Sequence, residues 1–173
     1  MASGLPSASR SAAARGNIVT AWTARPRIEA TLLNPALLAV LLAGAARDYD
    51  EEAGMPWPLA FLVIPVVLHR PTRNALPRDT RTHLSTWLRR EPLLRAGFPE
   101  RAAAMVPRTR EGLRFGLRAG ILTVDGANVV GNLTDEPAPG ELRQLVRAAR
   151  LLGRWLAKSD QPSTPFALLG VAP

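Results

Sequence analysis

The chain contains no cysteine. That one absence removes disulfides, thiol nucleophiles and thiolate-bound zinc together, and it leads us to expect a reducing, cytoplasmic setting. Histidine is nearly missing too: His69 and His83 are the only two, too few for an all-protein zinc site without thiolates. Lysine is reduced to Lys158, so the rest of the 22 basic residues are arginine. Arginine keeps its charge in any surroundings and forks onto carboxylates or phosphates, which suits interfaces. A GC-rich gene accounts for part of that bias, so the position of the excess tells more than the residue type. No apolar run approaches the roughly 20 residues of a membrane span. Residues 1–27, rich in Ser, Ala and Arg and without an acid, also lack the apolar core of about 7–15 residues that a secretory signal requires. They read as a disordered N-terminal arm, leaving 28–173 as a single domain.

The charge is concentrated. Residues 60–120 carry twelve Arg against four acids, while the flanking segments are each balanced, so this stretch holds the entire net charge of +8. Nucleic acid, an acidic protein surface and an anionic membrane are the partners such a balance raises, and charge alone does not choose among them. The basic stretch opens just after fourteen uncharged positions, 55–68 (MPWPLAFLVIPVVL), at the knuckle His69-Arg70-Pro71-Thr72-Arg73. Arg70 and Arg73 are therefore expected to face a partner beside a rigid core, and His69 to pack or cap.

Asn34-Pro35 marks a helix start, and the spacing predicts a helix over about 35–47 that is apolar all round and so buried. With 56–68 it could form a membrane hairpin around the acidic turn 48–52, but the lengths and the prolines at 35, 56, 58 and 65 favour a soluble core instead. Further along, helices are expected from about 79 to before Pro92, from Pro99 to Pro107, and from Arg108 to Ala119, closing on Gly120. A hairpin follows, with strands at 121–124 and 127–130 around Asp125-Gly126. Three helices and a hairpin predict a winged-helix-like module at 77–132. After a polar link at 134–140, residues 141–158 repeat apolar positions at three and four, with Arg143, Arg147, Arg150 and Arg154 on the other face. The fold class expected is α+β, mostly helical: this module packed with buried N-terminal helices and a C-terminal amphipathic helix.

Arg110, Arg114 and Arg118 form one ridge of the third helix, and Gly112, Gly116 and Gly120 another. The glycines each cost about 1 kcal/mol of helix stability against Ala, so they imply close approach by another backbone. The Arg ridge suits DNA phosphates or an acidic protein surface; Asn or Gln for reading bases is lacking there. Catalysis finds no candidate, since Ser85 near His83 has no orienting acid at a suggestive spacing. No enzyme activity, metal or cofactor is expected.

The chain resembles the middle components of three-component ABC systems. The resemblance rests on Asn34-Pro35-Ala36, on the block 58–77 (PLAFLVIPVVLHRPTRNALP) with Pro58, His69 and Thr72, on 109–113 (TREGL) with the GIL that follows, on Leu152-Gly153-Arg154-Trp155, and on 167–171 (ALLGV) with Gly170. These pieces run in order over about 29–173. Two departures stand out: Ala172 where Arg is expected before the final Pro, and Leu156 where an aromatic often follows Trp155. The resemblance implies a small non-enzymatic bacterial adaptor encoded with an SMC- or RecN-like ABC ATPase and a third, effector-type component, in a system directed against phages or plasmids. Arg154 and Trp155 join Arg70, Arg73 and the Arg110–114–118 ridge as expected partner-binding residues, with DNA a further partner through 60–120 and no membrane. A stand-alone winged-helix DNA-binding regulator is the alternative.

Overall fold

The computed structural model describes residues 33–133 and 140–172. The chain divides into two compact units, 1–34 and 35–173, and the elements below belong to the second. The expected arm and most of the polar link lie outside the described residues. In order, the elements are α1 (Pro35–Tyr49), β1 (Met55–Pro56), a 3-10 turn (Trp57–Leu59), α2 (Ala60–Val67), α3 (Arg70–Ala75), α4 (Leu84–Arg90), α5 (Pro92–Ala96), α6 (Phe98–Arg118), β2 (Leu122–Asp125), β3 (Asn128–Gly131), α7 (Gly140–Leu156) and α8 (Thr164–Leu169). The class is mostly helical α+β with one small antiparallel sheet, as the sequence predicts.

Pro35 starts α1 where its missing N–H costs nothing, and α1 then buries Leu38, Ala39, Leu41, Leu42, Ala43, Ala45 and Ala46 completely. Each fully buried leucine contributes about 1.5–3 kcal/mol. Small residues decide what α1 can touch. A Cβ on Gly112 of α6 would lie 2.7 Å from the Leu38 Cβ, and one on Gly153 of α7 would overlap the Ala45 carbonyl. Gly131 of β3 stands in the same relation to Ala43. Backbones of three elements thus close on one helix, which is the close approach that the costly glycines of α6 implied. α2 is buried over nearly its whole length, and no helix among the described residues is long and apolar enough to cross a membrane. The acidic turn is held by Asp50, whose Oδ1 accepts from the backbone N–H groups of Glu52 (3.0 Å) and Ala53 (2.8 Å).

Besides α4, which begins at Leu84 and not near 79, two details differ from the sequence reading. First, Pro107 does not divide two helices, because α6 runs unbroken from Phe98 to Arg118. Proline removes the bond to the carbonyl four residues earlier, here Ala103; both residues are exposed, so water can replace it. Second, the hairpin pairs Asp125 with Asn128, which puts Gly126-Ala127 in the turn, with Gly126 at φ +55°. Glycine at the first turn position suits the twist of the two strands. The sheet has the order β1-β3-β2, with Met55 opposite Val129. Its third strand therefore comes from outside 77–132, and the inner face of α6 rests on α1, also outside that range.

Candidate functional site

The basic knuckle is a capping network. His69 is the N-cap of α3: its Nδ1 accepts from the Thr72 N–H at 3.4 Å and lies 2.7 Å from the Thr72 hydroxyl. That acceptor role puts the ring proton on Nε2. Arg101 of α6 donates from Nη2 to Thr72 Oγ1 at 3.4 Å, from Nε to the Pro65 carbonyl at 3.3 Å and from Nη1 to the Gly97 carbonyl at 3.2 Å. Its guanidinium also sits 5.3 Å from the Phe98 ring centroid. Burial lowers the Arg101 pKa, and burial together with the Arg101 charge lowers that of His69.

Arg70 is exposed and open to a partner. Arg73 is not. Its Nη1 donates to the Val67 carbonyl at 2.8 Å, its Nη2 lies 3.6 Å from Glu141 Oε1, and its side chain is 9% exposed. Arg73 thus turns inward at the end of α2, while Arg70 stays at the surface. Val67 is at the end of α2, whose last carbonyls have no partner within the helix, and Arg73 supplies one. Trp155 also lies inside the fold. It is 2% exposed, its Nε1–H donates to the Thr82 carbonyl at 2.7 Å, and its ring meets Trp87 edge-on at 5.3 Å. An indole whose N–H has an internal acceptor adds more to a core than to a surface.

The family-pattern residues mostly shape the backbone. Pro35 begins α1 directly after Asn34, Pro58 lies in the 3-10 turn, and His69 and Thr72 form the α3 cap. Gly153 admits α1. Gly170 ends α8 at φ +73°, donating to the Ala167 carbonyl while Val171 N–H donates to the Phe166 carbonyl. Those two bonds make the left-handed cap that glycine favours.

Three further surfaces bear on partner binding. Arg110, Arg114 and Arg118 are all exposed on α6. They form a ridge about 12 Å long at 1.5 Å per residue, and none makes an ion pair among the described residues. A second surface was missed by counting charge along the chain. Arg73 and Arg78 line a groove of about 380 Å³ together with Arg147, Arg150 and Arg154 of α7. At its edge Asp48, with its side chain 8% exposed, receives both Arg150 (2.9 Å) and Arg154. The available signal was the arginine face of α7, spaced by four, three and four, whose charge is balanced by acids elsewhere in 121–173. The third surface is an apolar hollow of about 610 Å³ lined by Trp57, Phe61, Val106, Phe166, Val171 and Ala172. Trp57 is 51% exposed there and meets Phe61 edge-on at 5.9 Å. Ala172, in place of the expected Arg, makes that wall apolar.

Among the described residues no three His, Asp or Glu side chains converge as a metal site. His83 starts α4 without a side-chain capping bond. A family model described as ABC-three component (ABC-3C) system Middle Component 3 matches residues 22–173. No match to a curated protein or to a solved structure was found.

Proposed function

The chain belongs to the ABC-three component system Middle Component 3 family, and on that premise we propose that it is a non-enzymatic adaptor joining an SMC- or RecN-like ABC ATPase to a third, effector-type component. The system so assembled would act in the bacterial cytoplasm against phages or plasmids. ATP hydrolysis and effector chemistry belong to the partners. The observation that carries the reading is the ridge of Arg110, Arg114 and Arg118. Its charges are unpaired among the described residues, on a helix held rigidly against α1 through Gly112 and Gly116. A rigid helix presents the three charges together, and each guanidinium can fork onto carboxylates or phosphates. Co-expression of the three components with a tag on this chain tests it. The adaptor reading predicts that both partners are retained at moderate salt; a chain that elutes alone overturns it.

A second reading is favoured by the order of elements: helix α1, strand β1, helix α2, then α6 and a hairpin, with strand order β1-β3-β2. That order suits a winged-helix-like body spanning more of the chain than 77–132, with α6 before the wing. On this reading the isolated protein binds duplex DNA with a steep salt dependence, and changing Arg110, Arg114 and Arg118 to Glu abolishes it. Absence of duplex binding at low salt eliminates the regulator.

A further inference from the structure

We infer that the arginine groove between α3, the loop after it and α7 is a binding cleft for an acidic, amphipathic segment of a partner protein. The charges on its walls are unevenly spent. Asp48 engages Arg150 and Arg154, and Glu141 approaches Arg73. Arg78 and Arg147 are exposed and have neither an ion pair nor a hydrogen bond among the described residues. Among the described residues, five arginines of the groove thus share two carboxylates. Like charges lining one groove repel one another, and a ligand bearing carboxylates relieves that repulsion as it binds.

Apolar groups share the lining with the arginines. Leu76, Pro77, Ala148 and Leu151 are among them, together with the amides of Asn74 and Gln144. An extended segment with Glu or Asp on one face and Leu or Val on the other offers this mixed lining both kinds of contact within a few residues, since successive side chains of a strand point to opposite sides. The amides can donate to and accept from its backbone. From Gln144 to Arg154 the α7 wall is about 15 Å long, the reach of about five extended residues.

A nucleic acid fits less well. Single strands are held by aromatic stacking, and no aromatic side chain lines this groove, Trp155 being buried in the core beneath. Duplex backbones favour a broad polar face, and here leucine, proline and alanine share the lining with the arginines. The chemistry of the groove stands without the adaptor reading; only the assignment of its ligand to a component of the same system rests on that reading.

Fluorescence anisotropy of the full chain with labelled ten-residue probes tests the inference. An alternating Glu-Leu peptide is expected to bind, and the double variant Arg78→Glu with Arg147→Glu to weaken it about tenfold or more. Both positions are exposed and unpaired among the described residues, so the variant is expected to keep the fold; unchanged circular dichroism verifies this. Equal affinity of the variant for the peptide overturns the cleft, and equal binding of polyglutamate overturns its amphipathic character. Tighter binding of labelled DNA, lost in the same variant, reassigns the groove to nucleic acid and overturns the peptide reading. Co-expression separates the two proposals. A three-component complex that survives the double variant removes the groove from assembly and leaves the adaptor standing. Peptide binding by a chain that captures no partner does the reverse.

Discussion

At the start of α3 the imidazole of His69 can cap only while Nδ1 is unprotonated. Burial, and then the Arg101 charge, lowers its pKa below the ordinary 6.5, so the folded chain holds fewer protons at this position than the unfolded one. The sign follows. The stability His69 contributes is complete above about pH 6.5 and declines as pH falls through the lowered folded value. His69→Asn keeps a side-chain oxygen able to cap α3 and removes the titration. The expected result is a melting temperature that falls less between pH 7.5 and 5.5 than that of the parent chain. An identical fall in both would separate His69 from the pH dependence. That His69 caps or packs could be read from its place at the end of an apolar run. That Arg73 turns inward could not, because the carbonyl it serves belongs to a helix end fixed only after folding.

The helices expose a different balance. α2 is eight residues long and contains Pro65, so its own hydrogen bonds are few. Its end is held by arginines from elsewhere: Arg101 on the Pro65 carbonyl and Arg73 on that of Val67. Arg101→Met would preserve much of the packing while leaving the Pro65 carbonyl and the Thr72 hydroxyl without this donor. A loss of about 1–3 kcal/mol is expected by chemical denaturation, with faster amide exchange at Leu68 and Thr72 than elsewhere in the core. Protection unchanged at those two amides would dissociate Arg101 from the cap. In α6 the proline at 107 reads as a stop because position along the chain does not reveal which carbonyls face water. In α7 the three-and-four spacing was sufficient, and Leu145, Ala149, Leu152, Trp155 and Leu156 are all buried as it predicts.

Within 35–173 the elements are arranged around α1, which α2, α6, α7 and β3 contact, the last three at distances that glycine allows. Gly153→Ala forces the Ala45 carbonyl away and separates α1 from α7; overpacking of this kind costs about 1–3 kcal/mol. Gly97→Ala is the control, since its Cβ would meet only the end of Arg101 at 3.8 Å, and a change within about 0.5 kcal/mol is expected. Denaturation followed by Trp fluorescence and by circular dichroism checks both, with coincident transitions in each protein because one core joins the elements. The apolar runs, the helical periods, the hairpin and the basic excess of 60–120 were settled by sequence alone, because each is a local pattern of side chains along one element. Resemblance added the family, and with it Gly153 and Gly170 as positions of note. Only the tertiary structure decided which arginines are spent on carbonyls and Asp48 and which stay at the surface. It also brought Arg78 beside Arg147, 69 residues apart along the chain. The reason is physical: charge is additive along a sequence, but a field acts through space, and folding sets the distances that decide its strength.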